Sequence, residues 1–414
     1  MLETDQKQLD KTVTYDVVIV GAGSAGIATA SSLKKRHFAL RILLIDPAEE
    51  HYYQPGWTMV GGGVFDAPST QRKTRDLIPK GVDWIQQSVK NFYPKENRLR
   101  CVDGSSVYYQ HMVVAPGLKL NWSAVEGLED ALGKNGVTSN YRFDLAPYTW
   151  ELVKNLNHGK AIFTQPPMPI KCAGAPQKAL YLSADYWLKS GVLKNIDIDF
   201  CNAGGVLFGV PDYVPALMSY IEKYGANLKF MHTLVKVDGA NQKAWFKTED
   251  GKLLESSFDV LHVCPPQCSP DFIRDSELSD EAGWLDVDPN TLQHKKFDNI
   301  WGAGDVMNTA NAKTMAAARK QAPVVATNIN AAMHQKQPPM TYDGYGSCPL
   351  TVERGKIVLA EFAYGGKLVP TFPQWLNDGT KPSKFAWWLK ARLLPTVYWQ
   401  GMLKGREWFV SADQ

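Results

Sequence analysis

The chain has 414 residues, 44% of them hydrophobic, and a formal net charge of only +3. That is enough length for two or three domains with large cores, and too little charge to imply a nucleic-acid partner. Six cysteines in a chain this long exclude a secreted disulfide scaffold. No Cys/His grouping has zinc spacing, so no metal site is expected; Cys264 and Cys268 flank a Pro-Pro turn and have no further ligands beside them.

Residues 1–14, MLETDQKQLDKTVT, form a polar tail with three acids and read as carrying neither signal nor transit peptide. From Tyr15 to Val20 an apolar strand runs into Gly21-x-Gly23-x-x-Gly26, and a helix follows with Ala28, Ala30 and Leu33 on its packing side. Gly21 permits a tight turn, Gly23 lets the backbone approach a pyrophosphate, and Gly26 lets the helix lie close to the strand. The helix N-terminus then faces the phosphates. A second apolar strand, RILLID, ends in Asp46, about 20 residues beyond Gly26, where an acid binds a ribose hydroxyl. Strand, glycines, helix, strand and acid in this order point to a dinucleotide site rather than to a ligand-free glycine turn.

This first unit is expected over 15–150. It includes the loop HYYQPGWTMVGGG, flexible at Gly61 to Gly63, and the strand VYYQHMVV, which ends in Ala115-Pro116-Gly117. A second Rossmann-like unit is expected over 151–290, with a βαβ start near Ile196. Its fingerprint is degenerate: Gly204-Gly205 is followed by Val206, Leu207 and Phe208 before Gly209, and Pro211 intrudes at the helix start. Bulky Leu207 and Phe208 would crowd a pyrophosphate, so NAD(P)H is expected to be excluded; the alternative is a nicotinamide site of unusual form. Residues 291–340 return to the first unit. There a strand, Asn299 to Trp301, leads to Gly302-Ala303-Gly304-Asp305, and a helix starts near Lys313-Thr314 and runs to Val325.

The region 341–414 ends in KFAWWLKARLLPTVYWQGMLKGREWF, with aromatic and aliphatic residues at helical spacing and five basic residues against Glu407. Pro395 is expected to break it into two short helices. Its longest uncharged stretch, Leu393 to Leu403, is 11 residues, short of the roughly 18 needed to span a bilayer. Amphipathic helices lying on a membrane are expected; the alternative is packing on the protein's own core or at a dimer interface. Cys172 and Cys348 lie beside proline and glycine, whereas Cys101, Cys201 and Cys264 lie in or at the ends of apolar strands and read as structural.

Through HYYQPGWTMVGGG, KCAGAPQKALYLS, LFGVPDY, AGWLDVDPNTLQH, GAGD, AKTMAAA, YDGYGSCPL and LAEFAY, the chain resembles the mitochondrial-like sulfide:quinone oxidoreductases from Tyr15 to about Phe409. The resemblance implies an α/β fold of two Rossmann-like units, the FAD unit intact and the second degenerate, with a C-terminal amphipathic membrane-associating region. It implies that Cys172 and Cys348 are the redox pair, with the persulfide on Cys348 and the flavin-facing thiolate on Cys172. Lys171 and the helix end near Lys313 are the expected cationic partners of that thiolate. It implies FAD contacts at Gly21, Gly23, Ser24, Ala25, Gly26, Asp46, Gln54, Val89, Ala115, Gly117, Gly304, Asp305, Lys313 and Thr314. Non-covalent FAD is expected, because no cysteine lies near Ala115-Pro116-Gly117. Phe362, Tyr398 and Trp399 are candidate quinone contacts.

The implied partners are sulfide, a membrane quinone and a small sulfur acceptor such as a thiol, sulfite or cyanide; a homo-oligomer stays open. The short acidic tail after Met1 favours a bacterial cytoplasmic membrane over the mitochondrial inner membrane. Two rival readings are a type II NADH:quinone oxidoreductase, which needs an intact second fingerprint and no cysteine pair, and a flavin-binding interaction protein without turnover.

Overall fold

The computed structural model describes residues 14–410; residues 1–13, nearly all of the expected polar tail, lie outside the described residues. Val17, Val18, Ile19, Leu43 and Leu44 are fully buried, as strands covered on both faces of a parallel sheet must be. The first sheet runs in the order Val82–Ile85, Ile42–Ile45, Thr14–Val20, Ser106–Val114, Arg98–Cys101, Val89–Tyr93. Ile300–Gly302, almost 190 positions later, adds to it in parallel beside Ser106–Val114, with Ile300 opposite Met112. The helix Ser24–Arg36 leaves the Thr14–Val20 strand at its carboxyl end, where a parallel α/β sheet presents its ligand crevice.

The second sheet is five-stranded and parallel: Val137–Thr138, Val260–His262, Gly159–Gln165, Ile196–Asn202, Asn227–Phe230. Gly159–Gln165 is its central strand, and the helix Ala175–Lys189 is the crossover to Ile196–Asn202. The strand–helix–strand run expected from Ile196 is present as Ile196–Asn202, Val214–Tyr224 and Asn227–Phe230, and one further crossover, Gly159–Gln165 with the helix Ala175–Lys189, precedes it. The turn equivalent to a dinucleotide fingerprint is the loop 166–174, which contains Cys172 and no G-x-G-x-x-G. Where a ribose-binding acid would end the next strand stands Asn202, and its side chain folds back on its own loop, donating to the Val206 carbonyl and accepting from the Gly204 N–H. Leu207 and Phe208 are buried in the core of this unit. The edge strand Val137–Thr138 comes from the stretch expected in the first unit.

A C-terminal hairpin, Gly346–Glu353 with Lys356–Phe362, packs on the Ala175–Lys189 helix. Cys348, Leu350 and Val352 alternate inward, as side chains on a strand do, and share a core with Leu180, Tyr181 and Ala184. That packing carries Cys348 to Cys172.

Beyond the hairpin, Lys384 to Lys404 follows one helical path, contrary to the expected break at Pro395. The path contains wide π-type turns at Leu389–Leu393 and Val397–Gly401, and Pro395 sits between them in the short stretch Leu394–Thr396. Widened turns accommodate a residue that lacks an N–H. The second half of the path is core rather than surface: Val397, Tyr398, Trp399, Met402 and Leu403 are buried. It lies along the Ser24–Arg36 helix, where Ser31 Oγ donates to the Leu403 carbonyl at 2.8 Å and Ser32 Oγ to Glu407 Oε1 at 2.6 Å. Only the first half keeps an apolar outer face, with Trp388 51% exposed and, on the loop before it, Trp375 85% exposed. No helix among the described residues is long and apolar enough to cross a membrane.

Candidate functional site

A cleft of about 1800 Å³, counted with its open mouth, runs between the two sheets and under the C-terminal path. At one end, Gly21 has φ +103°, and a Cβ there would meet the Ala115 carbonyl oxygen at 2.4 Å. A Cβ on Gly26 would strike the Gly21 carbonyl oxygen, so helix and turn can touch only at a glycine. Gly23 is different: no atom of the described residues lies within 4 Å of a Cβ built there, and the space it would fill is the cleft. The Ser24–Arg36 helix has no acid in its first turn and no side chain capping its N-terminus, which leaves its orphan N–H groups for an anion. Asp46 Oδ2 accepts from the Ala22 N–H at 2.6 Å and Oδ1 from the Ala48 N–H at 2.7 Å; burial nevertheless raises its carboxyl above the usual range.

Farther along the cleft, Trp57 Nε1, Thr58 Oγ1 and both amide atoms of Asn140 are buried without a partner among the described residues. Buried polar atoms of this kind call for a ligand or water. Gly304, at φ +79°, abuts the start of the Ser24–Arg36 helix, where a Cβ would lie 3.0 Å from Ala25 Cβ; Asp305 follows it on the cleft wall, as does Thr314, which caps the Met315–Ala332 helix by accepting from the Ala317 N–H. An open phosphate turn, an acid at the second strand end and unpartnered polar groups along the cleft together fit FAD.

Cys172 and Cys348, 176 positions apart, lie with Sγ atoms 3.3 Å from each other. Cys172 sits in the left-handed region, φ +53°. It is pinned there by its N–H, which donates to the Lys313 carbonyl at 2.8 Å, and by its own carbonyl, which accepts from Ala175 at 2.7 Å. The Ala175–Lys189 helix starts three residues later and points its N-terminus toward the sulfur. Cys172 faces the cleft; Cys348 is 2% exposed and lies behind it. The hydrogen bond from Cys348 and the Lys178 ammonium, whose Nζ is 3.0 Å from Cys172 Sγ, hold Cys172 well below the usual thiol range. The same hydrogen bond, together with burial, pushes Cys348 well above it. Burial alone would lower Lys178, but the charge on the two sulfurs raises it.

Two lysines that the sequence did not single out are thus part of the site. Lys178 is 2% exposed inside a helix otherwise packed into the core. Lys390, 4% exposed on the first wide turn of the C-terminal path, is brought down to about 7 by burial and by the charge of Lys178, against the opposing pull of the two sulfurs. The expected cations are engaged elsewhere. Lys171 Nζ donates to Gln54 Oε1, and Lys313 Nζ donates to the Asp305 and Met307 carbonyls over the Trp284 ring.

Of the expected cofactor contacts, Gly23, Ser24, Ala25, Gln54, Ala115, Gly117, Gly304, Asp305, Lys313 and Thr314 line the cleft. Gly21, Gly26 and Asp46 shape its phosphate end from behind. Val89 is buried at the start of an outer strand opposite Cys101, away from the cleft wall. The three expected quinone contacts are not brought to the cleft. Phe362 packs edge-on against Phe208, Tyr398 is fully buried with its hydroxyl on Ser24 and His51, and Trp399 is buried under Arg72. From Lys384 onward, the residues that do line it are Leu389, Lys390, Leu394, Val397 and Phe409.

Residues 15–157 match the family model described as pyridine nucleotide-disulphide oxidoreductase. The mitochondrial sulfide:quinone oxidoreductase of Dictyostelium discoideum is 42% identical over 98% of this chain and 89% of its own length. The chain belongs to the sulfide:quinone oxidoreductase family. A second sulfide:quinone oxidoreductase, from Mus musculus and also named mitochondrial, is 37% identical over 94% of this chain and 87% of its own length. The crystal structure of the Aquifex aeolicus sulfide:quinone oxidoreductase matches in fold, with a TM-score of 0.75 at 18% identity over 94% of this chain and 92% of that one. Relatives named as mitochondrial give no support to the bacterial membrane expected from the tail.

Proposed function

We propose that the chain oxidises sulfide at the Cys172–Cys348 pair, passes two electrons to quinone through FAD, and hands the sulfane sulfur to a small acceptor. The observation that carries this reading is two sulfurs from distant segments in contact at the wall of a cleft that fits a dinucleotide. FAD would be held by Gly23, Ser24, Ala25 and Gly304 at its phosphates, Asp46 at its ribose, and Asp305 and Thr314 farther along the cleft, without a covalent bond to protein. When bound, it supplies a two-electron acceptor that can reduce a quinone.

The Lys178 ammonium, 3.0 Å from Cys172 Sγ, supports different roles for the two cysteines. In the oxidised pair, hydrosulfide attacks one sulfur, the S–S bond breaks, and the other sulfur leaves as thiolate; the lower-pKa thiol leaves faster. Cys172 is that thiol, so attack falls on Cys348, which becomes the persulfide. Lys178 balances the charge that Cys172 gains. A nucleophilic acceptor such as sulfite, cyanide or a thiol then takes the outer sulfur and leaves Cys348 as a thiolate. Loss of two electrons from the two thiolates re-forms the disulfide.

An NADH:quinone oxidoreductase reading is disfavoured because the first turn of the second sheet holds Cys172 instead of glycines, and Asn202 stands where an acid is needed. Membrane contact falls to the first turns of the expected C-terminal stretch together with the loop before it. Phe372 packs against Phe385, and Phe385 against Trp388, which joins the loop bearing exposed Trp375 and Leu376 to the first turn of the C-terminal path. Exposed Lys381 and Lys384 flank it, a combination suited to a lipid headgroup boundary. Anaerobic addition of sulfide to the purified flavoprotein tests the central claim. Bleaching of the flavin absorbance by stoichiometric sulfide, but not by NADH, is expected; bleaching by NADH alone would replace this reading with the NADH one.

A further inference from the structure

The helix that opens into the cleft at its N-terminus, Ser24–Arg36, is gripped along its length by the C-terminal strap 394–407, and one grip reaches the phosphate turn itself. The Tyr398 hydroxyl lies 2.6 Å from His51 Nε2 and 2.7 Å from Ser24 Oγ. The directions of these bonds follow from the far end of the chain of contacts. His51 Nδ1 is 3.1 Å from the Ala22 carbonyl oxygen, which can only accept, so Nδ1 carries the ring proton. Burial brings His51 down to about 4 and keeps it neutral, which leaves Nε2 as an acceptor. Tyr398 O–H therefore donates to His51, and its oxygen accepts from Ser24 Oγ–H. Ser24 is left with acceptor capacity only. An acceptor does not bind a phosphate oxygen, so the phosphates fall to backbone N–H groups. Ala22 is held on both sides, its N–H by Asp46 and its carbonyl by His51.

We infer that Tyr398 is a positioning residue for the cofactor: acting through Ser24 and through His51 on Ala22, it fixes the Gly21–Gly26 turn with its N–H groups toward the phosphates, and couples seating of the C-terminal strap to FAD retention. The inference rests on the reading that the cleft holds FAD. The coupling is reciprocal, so bound FAD also holds the strap in place.

The test uses the holoprotein and follows FAD release by flavin fluorescence on dilution, with melting of the apoprotein as a separate readout. Tyr398→Phe keeps the ring against Tyr53 and removes only the hydroxyl; release is expected to speed up about 3- to 10-fold, the scale of one or two lost hydrogen bonds. Ser24→Ala, which leaves the strap's ring packing alone, is expected to do the same, and the double variant no more than the stronger single, because both act in one chain of contacts. Ser31→Ala cuts a different tie of the same strap, to Leu403, and should release FAD at the wild-type rate. In limited proteolysis, FAD should protect the strap in the wild type and protect it less in Tyr398→Phe. Equal FAD retention by wild type and Tyr398→Phe would overturn the inference alone. So would Ser31→Ala accelerating release as much as Tyr398→Phe, since the strap would then be a general brace. A wild-type protein unable to bind added FAD would overturn the reading of the cleft, and this inference with it.

Discussion

A buried ammonium 3.0 Å from Cys172 Sγ does two things at once: it lowers the thiol pKa, and its own desolvation is relieved mainly by the negative charge it stabilises. Lys178→Met removes the cation and keeps much of the stem, so packing of the Ala175–Lys189 helix should survive. The Cys172 pKa should then rise, because a contacting opposite charge that favours the thiolate is gone. Because the thiolate is the reacting form, less of it exists at any pH below that pKa, and the acid limb of the rate profile moves to higher pH. Thiolate absorbance of the reduced protein against pH, beside the pH dependence of flavin reduction by sulfide, measures both. Lys178→Arg should restore part of the shift. A profile unmoved in Lys178→Met would leave the low Cys172 pKa to Cys348 and the helix N-terminus.

At the scale of elements, the sulfur pair exists because a hairpin docks on a helix at a glycine. A Cβ on Gly174 would meet Leu350 Cδ2 at 2.1 Å and Cys348 Sγ at 2.9 Å, and Gly174 has ordinary backbone angles, φ −91°, so the demand is for space alone. Gly174→Ala is expected to push the Gly346–Glu353 strand off the helix at a cost of about 1–3 kcal/mol. Most of the Cys172/Cys348 thiols should stay titratable after mild oxidation, while FAD still binds; normal disulfide formation in this variant would show that the hairpin yields without cost.

This contact was not legible in the sequence. Gly174 beside Cys172 marks a turn, but the partner lies 176 positions away, and no local pattern says that the two meet. The phosphate turn was legible, because Tyr15 to Asp46 contains strand, glycines, helix and acid in one continuous run. Lys178 left a weak trace, a lysine inside an apolar helical run; Lys390 left none, because a lysine among tryptophans reads equally as a surface residue. The crossover that precedes Ile196 was not legible for a related reason. The glycines at Gly204 to Gly209 drew the assignment, while the central strand Gly159–Gln165 carries no fingerprint to announce it.

At the scale of the whole molecule, the C-terminal path serves three parts at once: Trp388 on the outside, Lys390 beside the sulfurs, and Tyr398 to Leu403 along the cofactor helix. Aromatic residues at helical spacing cannot distinguish these fates, since a core-facing and a lipid-facing stripe have the same period; only packing against Ser24–Arg36 decides. Deleting everything beyond Thr380 would therefore remove lysine, strap and the helical half of the membrane patch together, and loss of activity would be uninformative. Trp375→Ser with Trp388→Ser addresses the patch alone, because neither residue lines the cleft and both are largely exposed. Burying a large apolar side chain is worth about 1.5–3 kcal/mol, so even partial insertion of two tryptophans makes binding to vesicles of acidic phospholipid fall at least about tenfold in the double variant. FAD content and sulfide-driven reduction of a short-tailed, water-soluble quinone should stay at the wild-type level, while reduction of a long-tailed quinone held in the vesicles should slow. Sedimentation with vesicles measures the first effect, and the two quinones measured side by side separate delivery from chemistry. Unchanged vesicle binding would remove this patch as the membrane contact, and equal loss with both quinones would place the tryptophans in the catalytic structure instead.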